Sequence, residues 1–137
     1  MLIFNDRGDL LLTRRDVEPF RGQWIVAGGR IDAQDDCAES AAVREAKEET
    51  GLDVELTHLV GVGTSTKDPR FFVAQVVYAA RISGGALTAT PEASEFQWVS
   101  VADALKEDLA FNHHDLVAMY AARKDKLIPI RRSRYDE

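Results

Sequence analysis

Glu45, Glu48 and Glu49 stand close together in the run Arg44-Glu45-Ala46-Lys47-Glu48-Glu49-Thr50-Gly51. On a helix, positions i, i+3 and i+4 share one face, with Cβ atoms about 5–6 Å apart. Like charges so near raise each other's pKa unless something neutralises them. A hard divalent cation does this, because carboxylate oxygens are the ligands magnesium and manganese prefer. Two such ions about 3.5–4 Å apart polarise a phosphoryl group and generate hydroxide from bound water. The competing reading is a solvated face laced by ion pairs, Arg44 with Glu48 and Lys47 with nearby acids. The opposite face weighs against it. Ala38, Ala41, Ala42 and Ala46 make a stripe of small side chains that lets the helix lie close against a sheet. A closely docked helix with clustered outer acids looks like a site.

The elements that must hold this helix can be read from turn formers and periodicity. Residues 1–4 and 10–14 read as short strands around the turn Asn5-Asp6-Arg7-Gly8, and residues 23–27 as a third, ended by Gly28-Gly29. The helix spans about residues 37–50, with Asp36 and Glu39 at capping-box spacing and Gly51 as its C-terminal cap. Residues 54–66 and 71–83 read as long strands joined by Lys67-Asp68-Pro69-Arg70, and Gly84-Gly85 breaks the second. A strand over 96–99, a short helix over 101–105 and a second main helix over 113–123 follow. The charged tail from residue 124 reads as irregular. Strands outnumber helices without strict alternation, so the expected class is α+β: a mixed sheet with helices on both faces.

The whole chain narrows the partners. Its 137 residues suit a single domain over residues 1–137, and 45% apolar content is normal for a packed core. The net charge of −6, from 17 Lys+Arg against 23 Asp+Glu, argues against a nucleic-acid-binding module, which relies on a basic face. No apolar run approaches the roughly 20 residues that span a bilayer, so no membrane is expected. With one cysteine, Cys37, no intrachain disulfide forms, and the cytoplasm is the default location. Three aspartates between residues 32 and 37 add to the local acidity. A polyanionic substrate fits such a surface only with divalent ions between them.

Gly29, Arg44-Glu45, Glu48-Glu49, Gly51 and Leu52 resemble the Nudix box: a glycine, an acid, Arg-Glu, two residues, Glu-Glu, one residue, glycine and an aliphatic. The flanks extend the resemblance over most of the chain, through Leu11-Leu12-Thr13-Arg14-Arg15, Gly22-Gln23-Trp24 and Glu95-Phe96-Gln97-Trp98-Val99. It implies a Nudix-type α/β/α sandwich around the mixed sheet. Two departures stand out. The box normally leaves five residues between its glycine and its first acid, which stands eight before the arginine. Asp36 has the second distance, but six residues separate it from Gly29, so the loop carries one extra residue. Aspartate also replaces the usual glutamate, an acid that pairs with the arginine in family members. Ala27 stands where proline commonly precedes the double glycine.

Carried over residue by residue, the resemblance implies metal ligation by Glu45, Glu48, Glu49 and the carbonyl of Gly28, with magnesium, or manganese in its place, as cofactor. Arg44 becomes the orienting partner of the carboxylates. Glu92, six residues before Trp98, stands where some members place a further carboxylate that binds metal or acts as base; otherwise it is an ordinary loop acid. Phe111-Asn112-His113 resembles the Phe-Asp-His of ADP-ribose-type members, so His113 is a candidate substrate contact. Adjacent histidines on a helix point about 100° apart, so His113-His114 is not a metal pair. Trp24 and Phe20 are candidates to stack on a base or to pack a loop, and Arg70 to reach a phosphate or to remain a solvated turn residue.

The implied activity is hydrolysis of a phosphoanhydride in a nucleoside diphosphate derivative, ADP-ribose or a nucleotide sugar, by water attack on phosphorus. The alternatives are a pool-cleaning nucleoside triphosphate pyrophosphohydrolase and a relative of the GDP-mannose mannosyl hydrolases. A Nudix-fold sensor that binds without cleaving is the non-enzyme alternative. Such sensors tend to lose box carboxylates and add a winged helix, for which this chain has no room. Many relatives are dimers, which makes a homodimer a possible assembly.

Overall fold

Successive residues of a strand point to opposite faces of a sheet, and the N-terminal strands are apolar on both faces. Leu2, Leu10 and Leu12 enter one core with Val60, Val77, Leu116 and Val117, while Ile3 and Leu11 enter another with Ala46, Val54 and Ala80. A sheet buried on both sides needs a helix layer on each. The computed structural model describes residues 1–130 and supplies both layers.

The elements are β1 (Leu2–Phe4), β2 (Leu10–Arg15), β3 (Trp24–Ile25), α1 (Ala38–Thr50), β4 (Leu52–Ser65), β5 (Val73–Gly85), β6 (Ala93–Val99), α2 (Val101–Ala104), α3 (His113–Arg123) and β7 (Ile128–Pro129). The strands form one sheet in the order β3-β2-β1-β5-β4-β7, with β6 paired to β2. β1 runs parallel to β5 and every other pair is antiparallel. α1 covers one face, α2 and α3 the other. The expected mixed α+β sandwich is therefore what forms.

The register of β1 creates the cleft. It pairs only with Ala79, Ala80 and Arg81, so residues 73–78 of β5 have no partner on that side. Across the gap stand β3 and the loop through Gly28 and Gly29, tied down where the Met1 main-chain nitrogen donates to the Ala27 carbonyl at 2.8 Å. A sheet split in this way opens a pocket between its halves.

Several expected boundaries move. The N-cap of α1 is Cys37 rather than Asp36, and the reciprocal partner is Ser40 rather than Glu39. Ser40 N–H donates to Cys37 Sγ at 3.5 Å, and Cys37 N–H to Ser40 Oγ at 3.2 Å. Thiol and hydroxyl satisfy the same orphan amides that an acid pair would. β5 runs through Gly84 to Gly85 because Leu52 and Asp53 pair with them. The tail, expected to be irregular, contributes β7, which pairs with His58 and Leu59 of β4. Both β7 residues are exposed, so no burial pattern marked the strand. The remainder of that tail, residues 131–137, lies outside the described residues.

Candidate active site

α1 approaches the sheet closely because its inward residues are small: Ala46 is fully buried and Ala41 nearly so. The helix ends at Gly51, whose φ of 78° is left-handed and whose N–H donates to the Lys47 carbonyl. This short approach brings two box carboxylates onto the double-glycine loop. Gly28 N–H donates to Glu49 Oε2 at 3.0 Å. The Glu45 carboxyl lies against Gly29, in the space that a β-carbon there would need.

Arg44 organises the outer side. Its Nη1 donates to both Glu45 Oε1 and Glu48 Oε2 at 3.0 Å, and its Nη2 to the Arg30 carbonyl. Its fork also grips Asp35, Nε to Oδ1 at 2.8 Å and Nη2 to Oδ2 at 2.9 Å. The acid expected in this position was Asp36, which is instead exposed. Asp35 wins because its carboxylate also accepts Asp32 N–H at 2.7 Å, closing the turn beneath the arginine. Only five residues separate it from Gly29, so the extra residue lies between the acid and the helix. Arg44 and the Asp32 amide hold the Asp35 carboxyl down at about 2, and Asp35 raises Arg44 in return. An Asp35→Asn variant should lose one charge-assisted bond, loosen Arg44 and lower kcat several-fold. Its stability relative to the parent should depend on pH. The parent's advantage is present above the ordinary aspartate pKa and fades as pH falls toward 2. Identical acid-melting curves for the two proteins would remove Asp35 from this role.

Burial pushes the Glu49 carboxyl up to about 7, against the Gly28 N–H, with the charges of Glu45 and Glu92 adding. Burial also raises Glu45, opposed by Arg44 and aided by Glu48 and Glu92. Glu92 is an exposed residue just before β6, and its charge acts on both box glutamates and on Arg15. Among the described residues no three acidic, His or Cys groups enclose a metal-sized space, and Arg44 bridges Glu45 and Glu48. The donor set, mutually repelling carboxylates of which two have raised pKa values, has the chemistry of a hard-cation site.

Gly28, Gly29 and Glu49 line a cavity of about 470 Å³ that also reaches Arg15, Asn112 and His113. His113 Nδ1 accepts Val26 N–H at 3.2 Å, and burial drives the imidazole down to about 3. It is therefore neutral, with its proton on Nε2. Asn112 and Gln75 exchange amide bonds of 2.7 and 3.0 Å, so this N-cap residue serves the cavity wall rather than the helix. Arg15 went unrecognised in the sequence. Its Nε donates to the Pro19 carbonyl at 2.7 Å, and its guanidinium sits 4.9 Å from the Phe111 ring centre. Strand alternation turns Arg14 and Arg15 to opposite faces, and only the folded sheet shows that the cavity lies on the side of Arg15.

Other expected contacts lie farther out. Trp24 packs against the α3-side core and pairs with Leu109, away from the cavity lining. Phe20 stacks edge-on against Phe111, their ring centres 4.7 Å apart. Arg70 closes on Asp68 at 2.9 Å and lies over Phe71, while Asp68 itself lines the cavity. His114 is exposed and hydrogen-bonds the Leu105 carbonyl at 2.9 Å.

A family profile described as NUDIX domain matches residues 1–120. The chain belongs to the Nudix hydrolase family. Among curated relatives, this Nudix chain is 38% identical over 129 residues to the ADPR responsive transcriptional repressor NtrR of Acinetobacter baylyi, covering 90% of this chain and 52% of that protein. It spans about half the repressor's length. It is 35% identical over 117 residues to an ADP-ribose pyrophosphatase of Methanocaldococcus jannaschii, covering 85% of this chain and 68% of the other. The Nudix domain of Shewanella oneidensis NrtR, solved with ADP ribose, superposes with a TM-score of 0.74 at 28% identity, covering 90% of this chain and 84% of that one. No described helix is long and apolar enough to cross a membrane.

Proposed function

We propose that this Nudix chain hydrolyses ADP-ribose or a similar nucleoside diphosphate diester, by water attack on phosphorus with a divalent cation, magnesium or manganese. The observation that carries the reaction is that Glu45 and Glu49 meet the Gly28-Gly29 loop while Arg44 ties Glu45 to Glu48. Similarity to the Methanocaldococcus jannaschii ADP-ribose pyrophosphatase and to the ADP ribose-bound domain supports the substrate class.

Glu45, Glu48, Glu49 and the Gly28 carbonyl would hold the cation, which supplies Lewis acidity and a more acidic water. The chain's own groups do the rest. Arg15 presents a fixed guanidinium to phosphate oxygens in the same cavity. Glu92, whose charge reaches Glu45 and Glu49, would accept the proton from water. Neutral His113 offers its Nε2–H to a hydroxyl or ring acceptor. Arg70 remains the outer candidate for the second phosphate.

ADP-ribose incubated with magnesium in oxygen-18 water should yield AMP and ribose 5-phosphate, with label on one phosphate. Chelator should stop turnover and magnesium restore it. A nucleoside triphosphate should give monophosphate and pyrophosphate, less efficiently. Free sugar and intact nucleoside diphosphate from a nucleotide sugar would mean attack at carbon, and the assigned bond would be wrong.

Similarity to the NtrR repressor favours a second reading, a sensor that binds ADP-ribose without turning it over. Tight binding with no product under the same conditions would select it.

A further inference from the structure

The double-glycine loop is held from both helix layers. Gly28 N–H donates to Glu49 of α1 at 3.0 Å. Two residues earlier, Val26 N–H donates at 3.2 Å to Nδ1 of His113, the first residue of α3. The reason for the second bond lies in the backbone. The ladder of β3 with β2 ends at Ile25. On its other edge β3 meets the segment before α3, where Trp24 forms a parallel bridge with Leu109. The Trp24 carbonyl there accepts Ala110 N–H at 3.0 Å. In a parallel ladder the residue that donates to position 24 accepts from position 26. The next acceptor should therefore be the Ala110 carbonyl. His113 N–H takes that carbonyl instead, because the chain turns at Phe111, whose φ is 55°, and enters α3.

Val26 is 1% exposed, so its amide cannot turn to bulk water, and a buried amide without a partner is costly. The imidazole lone pair meets that need, standing in for the carbonyl the ladder has lost. His113 is in turn fixed by α3, whose Leu116 and Val117 are buried in the core of that layer. It lines the same cavity as Gly28, Gly29 and Glu49. The α3 layer thus sets where Val26 sits, and with it the start of the loop that α1 grips at Gly28.

We infer that His113 is a positioning residue, which through Val26 seats the Gly28-Gly29 loop against Glu45 and Glu49 and so shapes the cation site from the far helix layer. This rests on the proposed cation-dependent activity. It assigns the work to Nδ1 and leaves the Nε2–H free to meet a ligand.

The test separates the two ring nitrogens. His113→Asn puts a carbonyl oxygen near the position of Nδ1, His113→Gln puts an amide near that of Nε2, and His113→Phe keeps only a ring. Manganese affinity without substrate and the exchange rate of the Gly28 amide are measured for each, alongside turnover of ADP-ribose. The Phe and Gln variants should bind manganese about tenfold more weakly and exchange the amide about tenfold faster, the value of one hydrogen bond. Their kcat should fall on the order of 10²-fold, as for a ligand group moved by about 1 Å, with KM within about threefold of the parent's. His113→Asn should recover most of each loss, a distinction that a merely structural role would not make. Recovery by Gln instead of Asn, with the loss in KM, would make His113 a substrate contact through Nε2 and overturn the inference. Parental manganese affinity and Gly28 exchange in all three variants would overturn it as well. The unaltered protein supplies a further measurement, independent of how the variants fold. Magnesium should shift the nitrogen-15 resonances of His113 Nδ1 and the Val26 amide together with that of Gly28, and an unresponsive Nδ1 would sink the idea. If these effects appear while the parent leaves ADP-ribose intact, the activity alone is wrong. If the parent hydrolyses ADP-ribose without them, the positioning role alone is wrong.

Discussion

Replacing Glu49 with Gln should lower activity by about 10²–10⁴-fold while making the metal-free protein more stable at neutral pH. The two effects have one origin. Glu49 is desolvated against the sheet and shares its surroundings with Glu45 and Glu92, so its carboxyl titrates at about 7 instead of 4.5. A folded-state pKa above the unfolded value means that the fold prefers the proton. Stability is greatest below the unfolded pKa, falls as pH rises from 4.5 to about 7, and stays low above it. A shift of that size corresponds to about 3 kcal/mol. Gln keeps the oxygen that accepts Gly28 N–H and never ionises, so it escapes that cost. Melting curves of the chelated proteins should coincide near pH 4 and separate by several degrees at pH 8, the variant melting higher. Added magnesium should reverse the order, because only the parent has the charge to gain from it. Near-parental turnover, with melting curves that coincide at every pH, would return this helix to a solvated, ion-paired surface.

What could be read in the sequence was whatever local spacing encodes. Glu45, Glu48 and Glu49 share a face because any helix makes them do so, and the alanine stripe opposite announced close docking. Gly51 marked the helix end by the backbone conformation it adopts. The mixed sheet with helices on both faces followed from strands that outnumber helices without strictly alternating with them. What escaped depends on chain segments that meet only in the folded state. Asp35 and Asp36 are neighbours with the same side chain. The choice between them is made by the Asp32 amide and the reach of Arg44. Arg15 rather than Arg14 lines the cavity, and that cavity exists only because β1 stops short of residues 73–78. Trp24 shows the converse, a residue whose type suggested stacking and whose place is the core.

Gly29→Ala offers the cleanest separation of site from scaffold. A β-carbon at residue 29 would fall on the Glu45 carboxyl, which occupies that space now. The atom in the way is the far end of a flexible side chain, so the fold accommodates the methyl by swinging Glu45 aside, at small cost. Backbone strain does not arise, since residue 29 has no left-handed φ. The displaced carboxylate leaves the Arg44 Nη1 bond and its place beside the Gly28 loop. A ligand group moved by about 1 Å costs on the order of 10²-fold in rate. The expected result is therefore a loss of about that size in kcat with a melting temperature close to the parent's. Gly28→Ala serves as the comparison, because a β-carbon there meets nothing nearer than 3.9 Å. It should cost far less, provided its N–H still reaches Glu49. If Gly29→Ala keeps full activity, the Glu45 carboxylate does not need its present seat, and the cation site is built from other groups. If both alanine variants unfold, the double glycine serves the loop's backbone rather than the approach of Glu45.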